Sequence, residues 1–218
     1  MSFLTDQSQV SGVSLTDLIH VVVTGDTSQN PAGSSFKASI QQVIIAPTNS
    51  WGLYAQTGNS VAVSATTVET TILNGGIGSL SIPANGFRVG DSFNARLGGI
   101  ISSRNNDRLT IRVKADSVVL GTTGAITLPG MTNQVWDFNI GFTIRQIGGT
   151  GTASILSHGI FSFVADSSNK YDAQAFNTIN NTTFNTTTQT TLEITAQFSS
   201  NNASNSITTE YFTLTKIY

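Results

Sequence analysis

Between Val135 and Ile144 apolar and polar residues trade places at every step. Trp136, Phe138, Ile140, Phe142 and Ile144 alternate with Asp137, Asn139, Gly141 and Thr143. A strict period of two predicts a strand with one buried and one polar face, the polar one meeting either solvent or a neighbouring subunit. Leu109, Ile111 and Val113 alternate in the same way with Thr110, Arg112 and Lys114, as do Leu192, Ile194, Ala196 and Phe198 with Glu193, Thr195 and Gln197. Further strands are expected at 66–73, 77–82, 87–101, 117–120, 153–165 and 206–217. Turn formers separate them at Asn74-Gly-Gly76, Pro83-Ala-Asn-Gly86, Asn105-Asn-Asp107, Gly148-Gly-Thr-Gly151 and Ser199-Ser-Asn-Asn-Ala203. Roughly eight to ten antiparallel strands without intervening helices predict an all-β chain. Their length and long connections favour an antiparallel jelly-roll sandwich over an immunoglobulin topology. The last strand runs to Tyr218, which predicts a central place in a sheet or a subunit contact.

The first 48 residues read differently. Leu18-Ile-His-Val-Val-Val23 is a β-branched strand, ended by the turn-rich Thr24-Gly-Asp-Thr-Ser-Gln-Asn-Pro-Ala-Gly-Ser-Ser35. Phe36, Ile40, Val43 and Ile44 then fall at helical spacing, with Ser34 or Ser35 placed to cap and Pro47 to close. Residues 1–48 are therefore expected as a small strand-turn-helix segment and 49–218 as the β domain.

Composition narrows the chemistry. Charged residues are 10% of the chain, against about 25% in an ordinary soluble domain, and the polarity comes from 26 Ser, 31 Thr and 18 Asn. Thr suits strand faces and Asn suits turns. With 39% hydrophobic residues and a net charge of -2, the chain has the means to fold. So few charges suggest a surface covered in part by copies of itself. There are no cysteines, which excludes disulfides and thiolate chemistry and favours assembly in a reducing cytoplasm. The N-terminal stretch lacks the features of a signal peptide, and no apolar run approaches the roughly 20 residues of a membrane span. Arg104, Arg108, Arg112 and Lys114, opposed by Asp107 and Asp116, read as a solvated strand face and not a nucleic-acid patch.

Catalytic starting points are sparse. His20 sits in an apolar strand and reads as structural; His158, in Leu156-Ser-His-Gly-Ile160, reads as a solvent-facing residue at a bend. No Gly-x-Ser-x-Gly elbow supplies a nucleophile for a triad. The acids Glu69, Asp91, Asp107, Asp116, Asp137, Asp166, Asp172, Glu193 and Glu210 are spread singly, whereas a glycosidase needs two that converge. Gly148-Gly-Thr-Gly151 and Asn74-Gly-Gly-Ile-Gly78 have no following helix and no Lys, so both read as turns and not phosphate cradles. Asp166-Ser-Ser-Asn169 with Asp172 lacks the Gly and terminal Glu of a calcium loop. Asn180, Asn181, Asn185 and Asn202 begin Asn-x-Ser/Thr triplets, as a Thr-rich and Asn-rich chain does by chance. No cofactor, metal or catalytic residue is assigned.

The stretch from Leu15 through Gly25-Asp-Thr-Ser-Gln-Asn-Pro-Ala-Gly-Ser-Ser-Phe-Lys-Ala38 resembles an N-terminal module of structural proteins of tailed phages and large DNA viruses. The region from Ile77-Gly-Ser-Leu-Ser-Ile-Pro-Ala-Asn85 to Phe212-Thr-Leu-Thr-Lys-Ile-Tyr218 resembles the β-rich fibre or spike heads of such proteins. By architectural analogy it is also similar to trimeric jelly-roll heads of the tumour necrosis factor and complement type. The resemblance implies a non-enzymatic virion subunit, assembled in the host cytoplasm as a homo-oligomer, with three copies expected. Residues 1–48 would dock to other virion proteins or nucleate a fibre, with Asp26, Asn30, Pro31, Phe36 and Ile40 as the docking residues. The head would contact host surface glycans through loops not identified here. The alternatives are a capsid decoration protein and a polysaccharide-degrading tail enzyme.

Overall fold

A computed structural model describes residues 18–23, 25–39, 52–165 and 170–218. The chain divides into two units, 1–50 and 51–218. Among the described residues every regular element is a strand and every paired neighbour is antiparallel. No helix there is long and apolar enough to cross a membrane.

In the first unit β1 (Leu18–Val23) pairs with β2 (Ser34–Ser39), Val23 opposite Ser34 and Leu18 opposite Ser39. The helix expected from Phe36 therefore does not begin at Ser34 or Ser35, which pair instead with Val23 and Val22. The cause lies in the spacing. Phe36 and Ile40 are four apart, an even number that suits a strand face as well as a helix face, and the preceding turn delivers the chain back alongside β1. Ile40, Val43, Ile44 and Pro47 lie outside the described residues. His20, read as a packed residue, is exposed opposite Lys37.

The second unit is built of two sheets. The larger orders β14 (Tyr171–Asn180), β13 (Ser154–Val164), β12 (Met131–Gln146), β8 (Ser92–Ser103), β16 (Ser206–Lys216), β3 (Gly52–Gln56) and β6 (Gly76–Gly78), with β4 (Val63–Ser64) also on β16. The smaller orders β10 (Val118–Thr122), β9 (Arg108–Ala115), β15 (Thr190–Phe198) and β5 (Thr70–Thr71). Here β11 (Ile126–Thr127) adds to β9, and β7 (Ser81–Ile82) to β15. β16 is thus interior to its sheet, between β8 and β3.

The alternation in the sequence is the alternation of burial in β12 and β9, while in β15 Leu192 is only half-buried and Thr195 is buried as well. Trp136, Phe138, Ile140, Phe142 and Ile144 are all buried, as are Leu109, Ile111 and Val113 of β9 and Ile194, Ala196 and Phe198 of β15. These residues join one apolar cluster with Phe93, Ala95 and Leu97 of β8 and Ile207, Phe212 and Leu214 of β16. Its aromatic spine runs through Trp136 and Phe161 (centroids 5.8 Å apart), Phe161 and Phe163 (5.7 Å), and Phe138 and Phe176 (5.8 Å). The Trp136 indole N–H, which cannot be left bare in such a place, donates to the Thr208 carbonyl at 3.2 Å.

Two glycines admit Phe176 of β14. A Cβ on Gly121 of β10 would lie 2.3 Å from the ring's Cε2, and one on Gly159 of β13 2.7 Å from its Cζ. The ring thereby packs against strands of both sheets, and the Asn180 amide adds a hydrogen bond to the Val119 carbonyl at 3.2 Å.

Turns fall largely where turn formers cluster. Gly148 and Gly151 take φ of 147° and 81° between β12 and β13, and Asn85 and Asn106 take 60° and 66° in their own turns. Two expectations need correction. The strand expected at 77–82 is split into β6, which begins already at Gly76 in the segment read as a turn and pairs with β3, and β7. The strand expected from residue 87 starts at Ser92, because the Asp91 carboxylate accepts the Arg88 N–H at 2.9 Å and closes a tight turn first.

Candidate functional site

The turn that leads into β2 is held by its own polar side chains. Asp26 Oδ1 accepts the Ser28 N–H at 2.8 Å and the Ser34 hydroxyl at 3.0 Å; Ser34 Oγ in turn accepts the Gln29 N–H at 3.0 Å. Asn30 Oδ1 accepts the Ala32 N–H at 2.8 Å, and the Asn30 carbonyl accepts the Gly33 N–H at 2.9 Å. Short acceptors of this kind fix loops by mimicking backbone turns. Hydrogen bonds from Ser28, and then from Ser34, hold the Asp26 carboxyl below its ordinary range. Of the residues assigned to docking, Asp26 and Asn30 thus shape the turn and Pro31 is exposed on it. Phe36 lies opposite Val21, on the face that Ile19, Val23 and Ala38 share by register, and is itself exposed. Ile40 lies outside the described residues.

In the second unit residues 166–169, Asp166 among them, lie outside the described residues. Asp91, Asp107, Asp116 and Asp137 each hold partners of their own. Asp91 pairs with Lys216 at 2.6 Å. Asp107 accepts from Arg104, Ser200 and Asn205. Asp116 caps the Thr191 N–H at 3.1 Å, and Asp137 accepts from the Tyr211 hydroxyl. Among the described residues no group of three His, Asp or Glu is arranged to hold a metal ion. His158 is exposed on a sheet face, as expected of it, opposite Gly141 and Asn177.

What distinguishes this unit is the contrast between its two outward faces. On the smaller sheet, Glu193 stands opposite Lys114 and Thr195 opposite Arg112. Glu69, from the segment before β5, reaches over them. It accepts from Arg112 at 3.1 Å, Lys114 at 3.2 Å and the Thr195 hydroxyl at 2.8 Å, while Lys114 also meets Glu193 at 3.4 Å. Partial burial pushes the Glu69 carboxyl up, but the Thr195 and Lys114 hydrogen bonds and the two cations outweigh it and leave it lowered. For Lys114 burial acts downward and is outweighed by Glu69 and Glu193, leaving it raised. This face is charged: Arg112 and Lys114 are paired with Glu69 and Glu193, while Arg108 is exposed at the start of β9 outside those pairs.

The larger sheet turns a different surface outward. Register defines four rows across it: Ser92, Thr143, Leu156, Ile179; Thr215, Asn94, Gly141, His158, Asn177; Thr213, Arg96, Asn139, Ile160, Ala175; and Tyr211, Gly98, Asp137, Ser162, Ala173. Within them Arg96 and Asp137 are the formally charged residues, and Glu210 is exposed beside Tyr211 where β16 bulges. The Tyr211 ring lies across Gly98, where a Cβ would come within 2.7 Å of it. Partial burial first, then the hydrogen bond to Asp137 and its charge, push the phenol up to about 12. Ile160 and Ile179 are 44% and 52% exposed here, and a single solvated sheet face has no need of them.

The face carries a groove of about 400 Å³ over Gly141, bordered by Asn94, Asn139, His158, Ile160 and Ile217. Gly141 makes it: a Cβ there would meet nothing closer than 3.9 Å. The Asn94 amide donates to Asn139 Oδ1 at 2.8 Å beside it. Asn139 and Thr143 were visible in the sequence as polar positions of the 131–146 strand. Their neighbours Asn94, Ile160 and Ala175 were not, because only strand register brings them together.

No protein-family model and no curated protein matches this sequence, so its functional reading rests on these faces.

Proposed function

We propose that this chain is a non-enzymatic structural subunit of a virus particle. Its 51–218 unit is a fibre-head or spike domain that works as a homo-oligomer. The observation that carries the reading is the charge-poor, partly apolar outward face of the larger sheet beside the charged, internally paired face of the smaller one. Neutral polar and aliphatic side chains on a broad sheet are what a second copy of the same face, or its neighbour in a ring, can cover while desolvating few charges, provided the neighbour supplies a partner for Arg96. Closed cyclic assemblies are the usual outcome of self-association, and the resemblance to trimeric heads makes three copies the expected number.

The connections support a jelly-roll reading of the sandwich. β8 in the larger sheet continues into β9 in the smaller, and β15 in the smaller into β16 in the larger. β15 lies beside β9 and β16 beside β8, so one two-strand crossover nests against the other. In this reading residues 1–48 attach the head to other virion proteins through the self-braced Asp26 and Asn30 turn and the apolar face that carries Phe36. The head meets host surface glycans, with several weak sites gaining strength from several copies.

Sedimentation of the full chain tests the assembly. The expected result is a cyclic oligomer at micromolar concentration that Ile160→Asp dissociates and Thr110→Asp, on the smaller sheet, does not. A monomeric wild type, or equal effects of the two substitutions, overturns the reading.

A further inference from the structure

We infer that the end of the sandwich formed by the β8–β9, β11–β12 and β15–β16 connections holds a binding cleft for a neutral oligosaccharide. The proposal rests on the attachment role above and names the surface that performs it. The cleft has a volume of about 560 Å³ and is bordered by Arg104, Asn105, Met131, Thr132, Gln134 and Ser204. It lies apart from the groove over Gly141, so an oligomer closed on the larger sheet leaves it open.

Its walls are braced from behind. Both oxygens of the buried Asp107 carboxylate are occupied, Oδ1 by Arg104 at 2.8 Å, Oδ2 by Ser200 at 2.7 Å and by the Asn205 amide at 2.8 Å. Asn205 Oδ1 accepts the Arg104 N–H at 2.9 Å. The Leu128 carbonyl accepts the Asn106 N–H at 2.9 Å, and the Leu128 N–H donates to the Asp107 carbonyl at 2.8 Å, which stitches the first two connections together. Two non-glycine residues, Asn106 and Asn133, hold left-handed backbone (φ 66° and 50°) at the rim, and β12 is bulged against β8 between Met131 and Gln134. Bulges and left-handed turns re-aim side chains, and Asn133 and the bulge lie between Met131 and Gln134, beside Thr132 and Gln134 of the lining.

The chemistry of the lining selects the ligand. Arg104 is tied to Asp107 by one nitrogen, yet its side chain is 54% exposed, so guanidinium donors face outward while the pair carries no net charge. Asn105 and Gln134 each offer a donor and an acceptor, Thr132 and Ser204 offer hydroxyls, and Met131 gives an apolar floor. A ligand that needs many donors and acceptors, one apolar patch and no counter-ion is a neutral sugar chain.

The test uses the full chain against immobilised gluco-, galacto- and manno-configured neutral oligosaccharides, with sialylated and uronic-acid-bearing ones alongside. Wild type should bind at least one neutral sugar. Gln134→Ala, and separately Thr132→Trp and Ser204→Trp, which fill the cleft from exposed positions, should each weaken that binding tenfold or more with the melting temperature unchanged. Binding by the wild type that all three variants retain overturns the cleft and leaves the attachment role standing. Binding confined to acidic sugars overturns the ligand class, and no binding of any sugar overturns the attachment role and the cleft together.

Discussion

Gly121→Ala should destabilise the protein through one ring, and removing that ring should reverse the sign. The added Cβ would stand 2.3 Å from Cε2 of Phe176 and 3.0 and 3.1 Å from its next two atoms, with no backbone atom among its three nearest contacts. Carbon atoms rest at about 3.5–4.0 Å, so the ring must retreat by about 1.2 Å or more. Its other edge lies over Gly159, where a Cβ, were there one, would stand 2.7 Å from Cζ, so the ring is close to that backbone as well, and its face meets Phe138 at 5.8 Å. Overpacking of this kind costs about 1–3 kcal/mol. Against it, Ala in place of Gly narrows the unfolded ensemble and contributes about 0.4–1 kcal/mol of stability. The net loss is about 1–2 kcal/mol, or a melting temperature lower by roughly 2–8 °C for a chain of this size. In a Phe176→Ala background the obstacle is gone and the entropic gain alone remains, so Gly121→Ala should raise stability by about 0.5–1 kcal/mol. Denaturant melts of the four proteins of this cycle supply the numbers. If the loss persists at full size without the Phe176 ring, the ring is not what holds position 121 to glycine.

The core alternation makes a second test: Phe138→Ala should cost about 3–5 kcal/mol and Thr143→Ala under about 1 kcal/mol, read from the same melts. Should Thr143→Ala lose more at low protein concentration than at high, the defect lies in assembly and not in the fold. Asp107 gives a pH test. Hydrogen bonds from Arg104, Ser200 and Asn205, with the Arg104 charge, lower its carboxyl to about 2 against burial. The folded value lies below the unfolded one near 3.9, so the stabilisation is complete above about pH 4 and lost as pH falls toward 2. Stability measured against pH should fall less steeply across that window in Asp107→Asn than in the wild type, and parallel curves refute the assignment.

How much of this was legible depends on contrast along the chain. The 131–146 strand announces itself because five large apolar residues on one face meet small or polar ones on the other. β14 does not. In Tyr171-Asp-Ala-Gln-Ala-Phe-Asn-Thr-Ile-Asn180 both faces carry small, polar and exposed residues, and the one that packs inward, Phe176, gives no period by itself. The 66–73 run was too generous for a related reason. Its Thr and Val favour extension, yet Ala65 turns at φ 47° and Val68 donates its N–H to the Thr66 hydroxyl, so only Thr70 and Thr71 reach the ladder with β15. The β1–β2 hairpin was read as strand and helix because an even spacing fits both, and the register that decides between them comes from hydrogen bonds made by Asp26 and Asn30.

The faces that carry the functional reading were hidden for a different reason. Arg112, Lys114, Glu193 and Arg96 look alike as isolated charges on alternating strands, and Asn, Thr and Ser are spread through the whole chain. Pairing separates them. β9 lies beside β15, so Lys114 and Glu193 come together and Glu69 can close over both. β8 lies between β12 and β16, so Arg96 is left among Asn139 and Thr213 with no carboxylate opposite. A sheet with paired charges is already satisfied in water, and covering it would cost the desolvation of every ion on it. Covering a sheet of amides, hydroxyls and half-exposed isoleucines removes apolar area from water and desolvates fewer ions, with Arg96 the one that a neighbour must meet with an acceptor. The same low charge count therefore means solvent on one side of the sandwich and a neighbour on the other. Ile160→Asp, which replaces a half-exposed isoleucine of the second face by a charge, should therefore weaken assembly while leaving the fold in place.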